Sequence, residues 1–142
     1  MTFAQFRSKL FARFPQFKTV SDEMFSYFGD ETPGNYPLFE HIVVPEIDKA
    51  AGADVEDFSA LMAFIELVAS GDTDCRDLVA IGLGEVIATL HNGALIRSAA
   101  GPNTVKAIAQ AERRSKEIAL HLDRSPIASL TRKLLRPSKK RD

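Results

Sequence analysis

The sequence contains no tryptophan and only one cysteine, Cys75, and none of its apolar runs is long enough to span a bilayer. A lone cysteine excludes an internal disulfide and is typical of a reducing compartment. The start of the chain also lacks the basic stretch and apolar core of a secretory signal. We therefore expect a cytoplasmic protein without a membrane-spanning segment.

The size and composition are those of one globular domain. A chain of 142 residues with 45% hydrophobic residues can bury a core that needs neither disulfides nor metals. All ten phenylalanines lie within the first 64 residues, so the aromatic core is built early in the chain. We predict a single helical domain over residues 1–136, followed by a disordered basic tail over residues 137–142.

Charge is strongly segregated along the chain, although the net charge is only −1. Residues 1–18 hold four basic residues and no acid, and residues 19–96 hold fifteen acids against two bases. Residues 97–142 hold twelve bases against four acids. Such asymmetry concerns partners and electrostatic steering, and it does not determine the fold.

Apolar residues recur at three- and four-residue spacing along most of the chain, and no segment alternates as a strand would. Helices are predicted on either side of Phe14-Pro15, over residues 36–52, from Asp54 to about Ser70, over 101–122 and over 127–136. Pro45 should kink the helix that contains it or divide it near Val44. The sequence thus predicts an all-α fold of six or seven helices packed as consecutive antiparallel hairpins, either HEAT-like or an irregular bundle.

The most apolar stretch, residues 70–91, is predicted to form the helix at the centre of the fold. A cap at Asp72 or Thr73 should start this helix. Gly82 and Gly84 each weaken a helix interior by about 1 kcal/mol relative to alanine. We expect that another part of the backbone approaches closely at these two glycines.

Glu85 is the only charged residue between Asp77 and His91, so we predict a buried carboxylate among apolar neighbours. In the structural interpretation it pairs with an arginine, accepts bonds from backbone N–H groups at a neighbouring helix end, or lies on a side of the helix that reaches solvent. In the functional interpretation, burial raises its pKa and makes it an acid or base. We favour the structural role. His91 is interpreted as a cation that complements the helix C-terminus before a stop at Gly93.

The other reactive residues show no catalytic or metal-binding pattern. His41, His91 and His121 have no second ligand at metal spacing, and Cys75 has no histidine nearby in sequence. The acids of residues 72–77 lack the glycine and the closing glutamate of a calcium loop. We therefore predict no catalytic residue, no metal and no cofactor, and a protein that is not an enzyme.

The basic C-terminal region leaves an alternative function open. Six basic residues are dense enough to attract phosphates: Arg132, Lys133, Arg136, Lys139, Lys140 and Arg141. No aromatic residue is interleaved with them and no recognition-helix motif is present, which disfavours specific nucleic-acid binding. The alternative is a small helical regulatory or nucleic-acid-associated module that uses the basic C-terminal helix.

Ser70-Gly71-Asp72 is followed closely by Asp77-Leu78-Val79-Ala80-Ile81-Gly82-Leu83-Gly84-Glu85. This pattern resembles that of a family of uncharacterised small all-helical bacterial domains that occur near contact-dependent toxin genes. The resemblance implies an immunity protein, which binds a cognate toxin domain such as a nuclease and keeps it inactive in the cell that makes both. The chain departs from the pattern in its basic C-terminal helix.

An acidic surface would suit such a partner, because nucleases need basic surfaces to hold phosphates. The acids expected to contact the toxin lie at helix starts and in loops: Asp30, Glu31, Asp54, Glu56, Asp57, Asp72 and Asp74. A surface that is acidic only for solubility is the competing interpretation. The oligomeric state is not predicted.

Overall fold

The computed structural model describes residues 1–26 and 33–124. Its α-helices are α1 (Phe6–Arg13), α2 (Gln16–Phe25), α3 (Asn35–Leu38), α4 (Val44–Ala53), α5 (Val55–Ala69), α6 (Thr73–Val79), α7 (Gly93–Ala99) and α8 (Pro102–Arg124). A first π-helix spans Phe39–Val43 and a second spans Ala80–Gly84, and short 3-10 turns occupy Phe3–Gln5 and Ile87–Thr89.

The described residues contain no strand and pack around one core, which confirms the predicted all-α single domain. No helix among them has the length and apolar character needed to cross a membrane. The helix predicted over residues 127–136 and the tail predicted over 137–142 lie outside the described residues.

Local sequence signals place the first helix boundaries correctly. α1 ends at Arg13, and Pro15 occupies the N-cap position of α2, so the predicted break at Phe14-Pro15 is confirmed. Asp54 accepts hydrogen bonds from the backbone N–H groups of Glu56 and Asp57, both at 3.1 Å. This cap starts α5 where the sequence predicted it.

A π-helix accommodates Pro45. The helical run is continuous from residue 35 to 53, and Pro45 stands in the first turn of α4, directly after the first π-helix. A proline has no N–H group, and its ring crowds the carbonyl four residues earlier. The wider π-turns before Pro45 relieve this conflict, so the predicted division near Val44 is confirmed as a change of hydrogen-bond register.

The central segment is buried as predicted, but its helix is shorter. Leu78 and Leu83 are fully buried, and α6 passes directly into the second π-helix, which ends at Gly84. The chain then turns through Ile87–Thr89. The predicted stop at Gly93 is wrong, because Gly93 opens α7, a helix that the sequence pattern did not predict.

The two glycines of the second π-helix allow close contacts with other elements. A side chain at Gly82 would overlap the ring of Phe39 in the first π-helix, and a Cβ at Gly84 would lie 2.7 Å from the Cβ of Ala111 in α8. The predicted approach of another part of the backbone is therefore confirmed at Gly84, where Cα of Ile108 would lie 3.3 Å from the Cβ, whereas the close neighbour at Gly82 is a side chain. α8 packs against the second π-helix and α5, which closes the core.

Candidate functional site

Glu85 is exposed, so the predicted buried structural carboxylate is wrong. The prediction continued the central helix to residue 90, which would have placed Glu85 among apolar side chains. The second π-helix instead ends at Gly84, and Glu85 occupies its C-terminal boundary. Burial therefore gives no reason to assign Glu85 an acid or base role.

Five of the seven predicted partner-binding acids lie in the described residues, and all five are exposed. They mark the starts of α5 and α6: Asp54, Glu56, Asp57, Asp72 and Asp74. At 1.5 Å per residue, α5 separates the two groups by about 21 Å, so they do not form one patch. Asp30 and Glu31 lie outside the described residues.

Asp72 is a structural carboxylate as well as an exposed charge. Its Oδ1 accepts from the N–H of Cys75 at 2.9 Å and its Oδ2 accepts from the N–H of Phe3 at 3.1 Å. The N–H of Asp72 donates to the carbonyl of Met1 at 3.2 Å. The bonds from Cys75 and Phe3 lower the pKa of Asp72, which keeps it charged. Replacement of Asp72 would therefore disturb the fold as well as the surface.

Cys75 packs as a small apolar residue, as predicted. Its side chain is fully buried. Burial, reinforced by the neighbouring Asp72 carboxylate, raises the pKa of the Cys75 thiol to about 11. Because the thiolate is the nucleophilic form, a thiol that stays protonated near neutral pH is a poor nucleophile.

Glu66 on α5 caps the start of α8, an arrangement that sequence reasoning missed. Its Oε1 accepts from the backbone N–H and the Nδ2 of Asn103 at 2.8 and 2.9 Å. Its Oε2 accepts from the backbone N–H and the hydroxyl of Thr104 at 2.9 and 2.8 Å. Burial by itself raises the pKa of Glu66, but these four hydrogen bonds outweigh it and hold the pKa below its ordinary value.

The residue before α8 makes room for this carboxylate. A Cβ at Gly101 would lie 2.5 Å from Oε2 of Glu66, so any other residue there would have to displace the cap. Gly101 has no side chain with which to cap the helix itself. A helix start without a capping side chain was the one signal in the sequence that the first N–H groups of α8 need another acceptor.

Asp48 on α4 binds the segment before α7 in a similar way. Its carboxylate accepts from the N–H groups of His91 and Asn92 at 3.2 and 2.7 Å, and the Nδ2 of Asn92 donates to the carbonyl of Asp48 at 2.7 Å. His91 thus precedes a helix start, so the role predicted for it at a helix C-terminus is wrong. His41 and His121 are exposed.

Charged side chains from three parts of the fold act electrostatically on Tyr36. Burial raises the pKa of Tyr36, the carboxylates of Asp77, Asp74 and Glu40 raise it further, and Arg114 lowers it. Glu40 lies in the first π-helix, Asp74 and Asp77 in α6, and Arg114 in α8. Tyr36 and these three carboxylates form a surface that we call the acidic face.

The acidic face is anchored to the fold at several points. Asp77 accepts a hydrogen bond from Nε2 of Gln110 at 3.1 Å. The ring of Tyr36 contacts that of Phe3, with centroids 6.1 Å apart. The Nδ2 of Asn35 donates to the Phe3 carbonyl at 2.8 Å. These contacts hold Tyr36 and Asp77 in position within the fold.

The carboxylates of the acidic face are not neutralised by ion pairs. In the described part of the chain, the ion pairs are Lys18–Asp22 at 3.1 Å and Arg97–Glu112 at 2.7 Å. Neither includes an acid of the acidic face. Among the charged groups that shift the pKa of Tyr36, three carboxylates therefore outnumber one guanidinium.

No group of three or more histidine, cysteine, aspartate or glutamate side chains is arranged to hold a metal ion in residues 1–26 and 33–124. Compared with known proteins, the chain matches no protein family, no curated protein and no solved structure. The fold and the site define an all-α protein with an acidic surface centred on a tyrosine.

Proposed function

We propose that the protein is an immunity-type inhibitor, which binds a basic protein partner such as a toxin domain through the acidic face. The observation that supports this proposal is the set of three carboxylates without ion-pair partners around a half-buried tyrosine. Tyrosine is enriched among the residues that dominate binding energy at interfaces. Unpaired surface acids accelerate association with a basic partner and disfavour acidic ones.

The arrangement suits an arginine or lysine of the partner. A cation placed beside Tyr36 would be attracted by carboxylates from α6 and from the first π-helix at the same time, and Arg114 would repel it. The hydroxyl oxygen of Tyr36 can accept a hydrogen bond from the N–H groups of such a cation. Hydrogen bonds to charged groups are about twice as strong as neutral ones.

The proposed contact set differs from the acids first predicted. It keeps Asp74 and adds Tyr36, Glu40 and Asp77, which no single sequence motif joins because they come from separate elements. Asp72 lies near this surface and contributes charge, but it also holds the fold. The acids at the start of α5 lie about one helix length away.

The test is affinity capture with three forms of the full chain as bait. They are the wild type, a Glu40→Lys/Asp74→Lys variant, and a control in which Glu117→Lys makes the same kind of charge change at an exposed site on α8. Circular dichroism first shows that all three are folded. The partner should be retained by the wild type and the control and lost with the double variant.

The captured protein is then purified and its binding is measured at low and high salt. We expect the association rate to fall with salt and with the double variant. The partner expressed alone should arrest growth, and co-expression of the wild-type chain should restore it. Equal retention of every captured protein by all three baits would refute the acidic face as the binding surface.

Deletion of residues 126–142 separates this proposal from the alternative module that uses the basic C-terminal region. These residues lie outside the described ranges. The proposal predicts that the deletion leaves binding of the basic partner intact, whereas the alternative predicts that it abolishes function.

A further inference from the structure

An open groove of about 450 Å³ lies between α1 and α5. Its lining is small, apolar or basic and includes Lys9, Ala12 and Arg13 from α1 and Ala60, Ala63 and Leu67 from α5. Leu67 is 50% exposed and Ala63 is also exposed. The lining contains no carboxylate, so the groove is an apolar surface with a basic margin.

The basic margin is not neutralised by its own surroundings. Lys9 and Arg13 are one helical turn apart and both are exposed. Neither forms an ion pair with a carboxylate of residues 1–26 or 33–124. The guanidinium of Arg13 instead lies 5.0 Å from the centroid of the Phe14 ring.

Acids that complement this margin lie on the same side of α5, one turn before the groove. Glu56 and Asp57 precede Ala60 by four and three residues, and Ala63 and Leu67 continue the same spacing, so all five share one side of the helix. Neither acid belongs to one of the ion pairs of the described chain. One continuous surface therefore presents acids at one end and an apolar groove flanked by bases at the other.

We propose that this surface forms a two-fold symmetric homodimer, with a second copy of the chain in the groove. A two-fold interface joins the same surface of both copies, so it must be complementary to itself. If the two α5 helices cross antiparallel near Ala60, Glu56 and Asp57 of each copy lie beside Lys9 and Arg13 of the other.

The side chains at the crossing allow close packing. Alanines at positions 60 and 63 let two helix axes approach to about 8 Å, the lower end of the usual range. α1 and α5 of both copies would then form a four-helix bundle around the apolar side chains of the groove. The dimer surface shares no residue with the acidic face, so each copy could still bind a partner.

Sedimentation equilibrium of the purified full chain over a wide concentration range tests the proposal. The apparent mass should rise from the 15.6 kDa of one chain to twice that value. Ala63→Arg places a long cation in the groove and should keep the chain monomeric. Ala119→Arg makes the same change at an exposed site on α8 and should leave the dimer intact.

Charge exchange tests the predicted pairing of the two copies. Lys9→Glu/Arg13→Glu and Glu56→Lys/Asp57→Lys should each raise the dimer Kd by about tenfold or more. A mixture of the two variants restores opposite charges at both ends of the interface, so it should form a heterodimer with nearly wild-type affinity. Circular dichroism of each variant confirms folding.

Three results would overturn the proposal: a 15.6 kDa species at every concentration, a dimer that survives Ala63→Arg, or a mixture that does not recover affinity. Titration with laurate and with a synthetic acidic amphipathic helix tests whether the groove binds a fatty acid or a helix of another protein instead. A monomeric chain that binds either probe in the groove would assign the groove to a different occupant.

Discussion

Replacement of Glu66 by alanine tests whether α5 holds the start of α8. The change removes four hydrogen bonds and leaves the Thr104 hydroxyl, which is fully buried, without its observed partner. Loss of an N-cap costs about 1 kcal/mol. An unsatisfied buried polar group costs about 1–3 kcal/mol more. We expect the free energy of unfolding to fall by about 3 kcal/mol, a large part of the about 5–15 kcal/mol typical of a domain.

Urea unfolding followed by far-UV circular dichroism measures this loss, because the chain has no tryptophan to serve as a fluorescent probe. Glu117→Ala removes an exposed glutamate from α8 and should change the free energy by no more than about 0.5 kcal/mol. A Glu66→Ala variant as stable as this control would refute the assignment of Glu66 as the cap of α8.

The pH dependence of the same free energy tests the charge on Glu66. Its folded-state pKa lies below the ordinary value of 4.5, so its ionised form stabilises the fold above that pH. This contribution is lost as the pH falls through the folded-state pKa. Glu66→Gln lacks it at every pH, so the gap between wild type and variant should be widest near neutrality and shrink in acid. A gap that widens in acid would contradict the lowered pKa.

Three further predictions concern other contacts of the described fold. Asp48→Ala should lower the free energy of unfolding by about 1–2 kcal/mol in urea titrations, because the backbone N–H groups before α7 lose their acceptor. Gly84→Ala should destabilise the protein despite the better helix propensity of alanine, because its Cβ would lie 2.7 Å from that of Ala111; a higher melting temperature would contradict this. Cys75 should react with a disulfide reagent in mildly alkaline solution only after unfolding, because it is buried with a thiol pKa of about 11; rapid reaction of the native chain would refute its burial.

Local chemistry made much of the fold predictable from the sequence. Pro15 cannot continue a helix from α1, and Pro45 forces an adjustment within one turn of its own position. Asp54 and Asp72 cap helices through N–H groups two or three residues ahead, so their effect is visible in a short stretch of sequence. The close approach at Gly84 was also predictable, because glycine in a helix interior needs a packing reason.

The errors arose where tertiary packing overrides local pattern. The central helix stops at Gly84 because the second π-helix fits between Phe39 and α8, which are distant in sequence. That early stop changes the direction of every later side chain, and Glu85 becomes exposed as a result. No local pattern could show this, since residues 85–90 are as apolar as the helix before them.

The candidate site was only partly predictable for the same reason. Asp74 was identified from its place at a helix start, but Tyr36, Glu40 and Asp77 meet only after three elements have packed together. Glu66 binds residues 37 and 38 positions away, a separation that no periodicity reveals. The immunity function remains a prediction from the central motif.

The use of carboxylates as caps between distant helices limits how this chain can diverge. Glu66 should change in related sequences only together with Gly101, and Asp48 only together with Asn92, since each pair shares one contact. Glu40 and Asp74 carry no such restraint and are free to vary with the partner that a given lineage must recognise. An alignment of divergent relatives should therefore distinguish two kinds of acid. Acids that hold the fold together should be conserved, whereas acids that contact the partner should vary with it.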